Sequence, residues 1–103
     1  MSIVYVEIES ILNNALEPVY LELINESQQH SVPPNSETHF KLTLVSDYFD
    51  GLSPVKRHQK VYSLLAEQMR GGVHALALHL YTPSQWAQRS SPAPESPNCM
   101  GGG

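Results

Sequence analysis

Histidines have the widest chemical range of the residues in this chain, and two of them lie in one apolar run. The run GGVHALALHLY covers residues 71–81 and contains His74 and His79. Neutral imidazole binds zinc, copper and iron, and it titrates near neutral pH. An apolar strand needs no histidine for its burial, so each of the two requires its own explanation.

Strand geometry predicts different environments for these two histidines. Side chains alternate across a strand, and the even-numbered leucines of 76–80 share one face. His74 has the parity of these leucines, so we expect it to lead the face that packs on the core. His79 has the parity of the two alanines, and we expect it on an open face. The two histidines should therefore not share one function.

A second constraint comes from strand direction. If the second and third strands are parallel, His74 and the loop that contains His30 lie at the same edge of the sheet. We expect both to be partly exposed there, with His39 near that edge but of the wrong parity. His58 should lie at the opposite edge, about 20 Å away. Two imidazoles at one edge suit zinc, copper or iron. The alternative is that His74 is a strand-end histidine hydrogen-bonded to backbone.

A basic cluster marks the start of the second long helix. Lys56, Arg57 and Lys60 fall within five positions around His58. This cluster is either an anion-binding face at a helix start or an ordinary solvated helix face. The single cysteine, Cys99, is either an incidental thiol or a ligand. No nucleophile elbow, phosphate-binding loop or defined acid pair is present, so we do not expect an enzyme.

Hydrophobic patterning predicts the elements that position these residues. Apolar residues recur at helical spacing near the N-terminus, whereas two later segments alternate with strand spacing. Pro18 ends the first helix, and Ser53 followed by Pro54 begins another. The expected elements are a helix at 3–16, strands within 19–27 and 39–46, a helix at 54–69, a strand at 73–81 and a short helix beginning at 83 that carries Trp86.

This order predicts an α+β fold. A strand–helix–strand connection favours a parallel, right-handed crossover, which gives a three-stranded mixed sheet covered on one face by helices. Residues 1–87 should form one domain, followed by a disordered Ser/Pro/Gly-rich tail at 88–103. The residues expected to be buried are Leu21, Leu42, Leu44, Tyr62, Leu65, Leu76 and Leu78.

Composition limits the class of protein. The 103 residues are 41% hydrophobic and 16% charged, which suits one small domain. The net charge of −4 argues against general nucleic-acid binding, although all six Lys and Arg residues lie in 41–103. No apolar run approaches the ~20 residues of a membrane helix, and the N-terminus has no basic signal-peptide region. One cysteine favours a reducing cytoplasm.

Residues 31–86 resemble the BolA family, through SETHF, LLAEQM and VHALALHLYTP followed by the tryptophan. The resemblance implies a class II KH-like fold and a monothiol glutaredoxin with a CGFS motif as partner, bridged by a shared [2Fe-2S] cluster. His74 maps to the family's ligand in VHAL, and His30 fits the second ligand position in the loop. The isolated chain should be a monomer without a cofactor.

The same resemblance implies DNA binding and transcriptional control in stress response and morphology. That role maps to Lys56, Arg57, His58 and Lys60. Two departures weaken it here, because the GxxG loop of KH domains is missing and the family's RHR motif ends in Gln59. We therefore expect cluster binding with a glutaredoxin first, and DNA regulation as the alternative.

Overall fold

The chain folds into a three-stranded mixed sheet with its main helices packed on one face. The computed structural model describes residues 3–29 and 36–89. Short 3-10 turns follow the first two strands, at Ser27–Gln29 and Asp47–Phe49. The elements are α1 (Ile3–Leu16), β1 (Tyr20–Asn25), β2 (His39–Val45), α2 (Pro54–Leu64), α3 (Ala66–Arg70), β3 (Ala75–Tyr81) and α4 (Pro83–Arg89).

The sheet has the topology that the sequence predicts. Its strand order is β1-β2-β3, with β1 antiparallel and β3 parallel to β2. Leu42 at the centre lies opposite Leu23 on one side and Leu78 on the other. The predicted α+β fold is confirmed, and the parallel pairing places the starts of β2 and β3 at one edge.

The core lies between α1, α2 and the leucine-rich face of the sheet. Of the residues expected to be buried, Leu42, Leu44, Leu65 and Leu76 are buried, whereas Leu21 and Leu78 are half-buried against the core. The prediction for Tyr62 is wrong. Its side chain is 38% exposed, and its hydroxyl donates to the carbonyl oxygen of Leu76 at 2.9 Å. The tyrosine thus covers the rim of the core and keeps its polar end in a hydrogen bond.

The opposite face of the sheet is open except at one end, which α4 covers. The ring of Trp86 stacks on Tyr20 at 5.0 Å between centroids and lies 5.4 Å from Tyr81. Val45, in register between these two tyrosines, is completely buried but lies outside the main core cluster. The short helix therefore builds a second, smaller apolar cluster, and His79 remains exposed beyond it.

The predicted helix at 54–69 is two helices. At Leu65 the backbone adopts φ −104° and ψ 21°, although hydrogen bonds from residue i to i−4 continue on both sides. Neither Pro nor Gly marks this break, so the sequence carries no signal of it. The stop at the glycine pair is confirmed, because α3 ends at Arg70 and Gly72 has φ 129°, a conformation that favours glycine.

The last helix extends into the segment assigned to the tail. α4 continues to Arg89, two residues beyond the predicted domain end at 87. The remaining tail residues, with Cys99, and the loop residues 30–35 lie outside the described ranges. Within those ranges, no helix is both long and apolar enough to cross a membrane.

Candidate functional site

His74 lies at the edge where the parallel strands begin. Its backbone N–H donates to the carbonyl oxygen of Thr38 at 2.8 Å, as does that of Ala75 at 3.1 Å. The side chain is exposed, so the predicted edge position is confirmed and the predicted core-facing direction is wrong. His74 precedes β3, so strand alternation does not govern it, and Val73 takes the buried position at 4% exposure.

The structure brings His39 to His74, which the parity argument did not predict. The two ring centroids are 6.1 Å apart, with ring planes at 80°. His39 pairs with Ala75 in the parallel register, and His74 is the residue immediately before Ala75. Because His74 precedes the strand, its side chain does not follow the alternation of β3, and the two rings can lie on the same side. The register was the signal that could have found this pair.

A set of hydrogen bonds around the buried Ser27, here called the clasp, fixes the base of this edge. Ser27 is completely buried, and its Oγ accepts from the backbone N–H groups of Thr38 at 2.9 Å and His39 at 3.1 Å. Asn25 accepts from the N–H of Ser27 through Oδ1 and donates through Nδ2 to the carbonyl oxygen of Ser36. The clasp therefore joins the two ends of the long loop between β1 and β2.

The loop closed by the clasp contains His30. This residue lies outside the described ranges, so its predicted juxtaposition with His74 stays a prediction. The clasp nevertheless fixes where the loop departs and returns. Both points lie next to the start of β2, beside the histidine pair.

Thr38 also orients the imidazole of His39. The Thr38 hydroxyl lies 2.8 Å from Nδ1 of His39 and 3.4 Å from the Oγ of Ser27. The shared proton lies on the Thr38 hydroxyl or on Nδ1 according to the tautomer of His39, and in both cases the contact fixes the orientation of the ring. Such an outer hydrogen bond is the usual device that sets the tautomer of a metal-binding histidine.

The carboxylate of Glu37 connects this edge to the first helix. Its two oxygens accept from the backbone N–H groups of Val4 at 3.3 Å and Tyr5 at 3.0 Å. These are N–H groups of the first turn of α1, which have no partner within the helix. The negative charge also suits the positive end of the helix dipole. The segment that leads into His39 is thus held from both sides.

The described residues at this edge do not form a complete metal site by themselves. No group of three or more His, Cys, Asp or Glu side chains in the described ranges could hold a metal ion. A [2Fe-2S] cluster needs four ligands and prefers thiolates. The histidine edge fits such a cluster only as one side of a shared site, with the sulfur ligands supplied by a partner.

The four residues of the predicted nucleic-acid site separate into two environments. Lys56, His58 and Lys60 are exposed on α2, which begins as predicted with Ser53 accepting from the N–H of Lys56 at 3.2 Å. Arg57 is only 8% exposed. The three exposed side chains are accessible to a partner, so their role as a contact surface stays a prediction, whereas Arg57 is held inside the fold.

Arg57 joins α2 to the end of β3 and to α4. Its Nε donates to the carbonyl oxygen of Leu52 at 3.0 Å. Its Nη1 donates to Oε1 of Gln85 at 2.7 Å and to the carbonyl oxygen of Leu80 at 3.4 Å. The guanidinium also lies 5.9 Å from the centroid of the Phe49 ring. A buried cation is tolerated here because oxygen acceptors replace its hydration.

His79 has a different electrostatic environment from His74. It lies on the open face, opposite Thr43, as predicted. Partial burial is the main cause that lowers the pKa of His79, and the positive charges of Lys41 and Arg89 lower it further, against an opposing effect of Glu26. The lowered pKa favours the neutral imidazole, and His79 is distant in register from the histidine pair.

Comparison with known proteins identifies close relatives. The family model described as BolA-like protein matches residues 12–85. The DNA-binding transcriptional regulator BolA of Vibrio cholerae is 48% identical over 95 residues, which cover 92% of this chain and 90% of that protein. BolA-like protein 1 of Homo sapiens is 52% identical over 95 residues, which cover 92% of this chain and 69% of that protein. These relatives bear the names of a regulator and a BolA-like protein, not of enzymes.

Solved structures give the same assignment. BolA1 from Arabidopsis thaliana superposes with a TM-score of 0.75 at 40% identity, covering 80% of this chain and 94% of that one. The BolA domain of SufE1 from Arabidopsis thaliana gives 0.73 at 42% identity, with coverage of 78% and 92%. With the family match over most of the described residues, the chain belongs to the BolA family.

Proposed function

We propose that this protein partners a monothiol glutaredoxin and co-ligates a [2Fe-2S] cluster, with a role in iron–sulfur and iron homeostasis. The observation that carries the proposal is the exposed ring of His74 beside a second imidazole, on backbone that Thr38 holds in place. An exposed histidine on a fixed edge is ready to bind a metal without rearrangement of the fold. The membership in the BolA family supports the choice of partner.

The chemistry of the donors determines what the partner must supply. No cysteine lies in the described ranges, and Cys99 belongs to the tail. The partner therefore provides the thiolates, and this chain provides neutral imidazoles. In Rieske centres, imidazole ligands in place of thiolates raise the reduction potential. Imidazole can also be protonated, which makes release of the cluster sensitive to pH. Both properties suit transfer or sensing more than storage.

Two histidines can act as the second imidazole ligand. His30 fits the loop position that the family resemblance implies. His39 has its ring 6.1 Å from that of His74, and its Nδ1 is engaged by Thr38. We keep His30 as the proposed ligand, because the family resemblance implies a second ligand in the loop between β1 and β2. His39→Ala is then the matched comparison for His30→Ala.

Reconstitution with a CGFS glutaredoxin tests the proposal. The mixture should give a heterodimer with one [2Fe-2S] cluster, whose visible circular dichroism differs from that of the glutaredoxin homodimer. His30→Ala should make this cluster more labile, whereas His39→Ala should leave its ligand set unchanged. If the mixture gives only the spectrum of the glutaredoxin homodimer, the proposal is wrong. The reverse ranking of the two variants would assign the second ligand to His39.

DNA binding is the second candidate function, and two observations favour it. Relatives from Vibrio cholerae and Escherichia coli are named DNA-binding transcriptional regulators, at 48% identity. Lys56 and Lys60 are exposed on the first turns of α2, where they can contact phosphates. The double variant Lys56→Gln/Lys60→Gln should reduce the salt-dependence slope of DNA binding by about two. An unchanged slope would exclude this helix as the contact surface.

A further inference from the structure

A cleft lies at the end of the sheet opposite the histidine pair. It has a volume of about 510 Å³ and separates the start of α2 from α4. Pro54, Leu80 and Tyr81 form apolar walls, and Arg57, His58 and Arg89 bring cationic or titratable groups. Its volume falls in the range of small-molecule sites.

Arg57 contributes unused donors to this cleft although its side chain is more than nine-tenths buried. Its Nε and Nη1 are hydrogen-bonded, whereas Nη2 makes no hydrogen bond to a described residue. Among described side chains, the one polar atom that is both sealed from solvent and without a partner is Oε1 of Gln68. The Nη2 of Arg57 is therefore accessible, and it carries two N–H donors held in a fixed plane.

The side-chain oxygen of Gln85, a second residue that lines the cleft, is held by two hydrogen bonds. Its Oε1 accepts from Arg57 at 2.7 Å and from the backbone N–H of Thr82 at 3.0 Å. Both acceptor positions of the amide oxygen are then used. The amide nitrogen, with two donors, makes no hydrogen bond to a described residue. Arg57 and Gln85 both line the cleft, and each keeps a nitrogen with two N–H donors that no described residue uses.

The rim of the cleft adds a second guanidinium, held against aromatic rings. The Cζ of Arg89 lies 5.2 Å from the centroid of Tyr81 and 5.5 Å from that of Trp86. No carboxylate occurs among the described residues that line the cleft. Arg89 and His58 also help to lower the pKa of nearby His79, which is consistent with a positive local potential.

We propose that this cleft binds a small phosphate-bearing ligand with an aromatic body, of the nucleoside monophosphate class. A phosphate accepts several hydrogen bonds and matches the planar fork of arginine. The apolar surfaces of Pro54 and Leu80 accommodate the aromatic body. A terminal phosphate on a small molecule can reach Arg57 inside the cleft, whereas the backbone of a duplex stays at the surface. This site is independent of the histidine edge and of the glutaredoxin proposal.

The intrinsic fluorescence of the protein reports on this site. Trp86 is the single tryptophan of the chain and lies against Arg89. Titration of the full chain with AMP should give a saturable change in Trp86 emission. Adenosine and inorganic phosphate should each bind about tenfold more weakly or worse, because adenosine lacks the charge-assisted hydrogen bonds and inorganic phosphate lacks the apolar contact of the base.

Two matched variants decide whether the cleft is the site. Arg89→Gln should weaken AMP binding about tenfold, and Arg70→Gln, which removes an exposed cation at the end of α3, should not. Shifts of the Gln85 side-chain amide signals in NMR spectra give a readout that does not depend on the tryptophan. Arg57 is left intact because it supports the fold.

Three outcomes would overturn the proposal. The first is the absence of a saturable response of fluorescence or of the Gln85 signals up to about 5 mM AMP. A dissociation constant above that concentration would be weaker than ordinary ligand affinities. The second is an equal loss of affinity in Arg70→Gln, which would indicate general charge attraction. The third is binding of a single-stranded oligonucleotide without binding of AMP, which would make the surface a polymer contact.

Discussion

The two ends of the sheet place their chemically capable side chains in opposite ways. Where β2 and β3 begin, the buried Ser27 and the partly buried Thr38 hold the backbone, and the ring of His74 remains exposed. Where the same strands end, the cationic side chain of Arg57 is buried and hydrogen-bonded to carbonyl and amide oxygens. One end supports a group on the surface, and the other uses a charged group as part of the framework.

This contrast separates residues that can meet a partner from residues that hold the fold. Arg57 and Lys56 are adjacent in sequence and carry the same charge, but the first is 8% exposed and the second is on the surface. Substitution of a buried, hydrogen-bonded cation leaves its acceptor oxygens without a hydrogen-bond partner. Substitution of a surface cation changes only the electrostatic interactions. The following predictions test this division, from the largest expected effect to the smallest.

Replacement of Arg57 should cost the most stability. Arg57→Ala removes the hydrogen bonds to Leu52, Leu80 and Gln85, and we expect the free energy of unfolding to fall by about 3 kcal/mol. Lys60→Ala, on the exposed face of α2, should change it by less than about 0.5 kcal/mol. Urea denaturation measures both. Equal, small effects would mean that Arg57 is not part of the framework.

The clasp at the histidine edge should have a smaller effect. Ser27→Ala leaves the N–H groups of Thr38 and His39 without their buried acceptor, so the free energy of unfolding should fall by about 1–3 kcal/mol. The exposed neighbour Gln28 provides the control, because Gln28→Ala should be close to neutral. A neutral Ser27→Ala in urea denaturation would show that the clasp does not hold this edge.

The contact between Glu37 and α1 should contribute less again. Glu37→Gln keeps an acceptor oxygen but loses the charge at the helix N-terminus, which should cost about 0.5–1 kcal/mol. Glu22→Gln on the exposed side of β1 is the comparison, with no helix terminus nearby. Thermal unfolding at low salt resolves the difference. The effect should shrink in 1 M salt, and an effect that persists unchanged would not be electrostatic.

The smallest effect concerns pH. Because the pKa of His79 is lowered in the folded state, the unfolded chain binds a proton more readily below about pH 6.5. The contribution of His79 to stability is therefore zero above that pH and becomes unfavourable as the pH falls. The wild type should lose more stability than His79→Gln between pH 7.5 and 5. Parallel pH profiles of the two proteins in urea denaturation would contradict the lowered pKa.

The sequence predicts the framework well because local chemistry encodes it. Alternating leucines define the strands, Ser53 with Pro54 begins α2, and the glycine pair ends α3. The helical spacing also encodes the buried position of Arg57. Arg57 lies four residues before Val61 and eight before Leu65, on the apolar side of its helix.

Other features depend on tertiary placement and have no local signal. The contact of His39 with His74 follows from the parallel register and from the start of β3 at Ala75 rather than at His74. The cover that Trp86 forms over Val45 requires α4 to fold back onto the open face. Strand parity alone could not show either, because one residue precedes its strand and the other lies beyond it.

The comparison of His74 with His79 tests the central claim most directly. The two lie five residues apart, one at the strand edge beside His39 and the other on the open face with a lowered pKa. Each alanine variant is reconstituted with a CGFS glutaredoxin, and visible circular dichroism follows the heterodimeric cluster. His74→Ala should abolish the heterodimer spectrum, and His79→Ala should leave it unchanged. Equal effects, or an effect of His79→Ala alone, would contradict the assignment of the cluster to this edge.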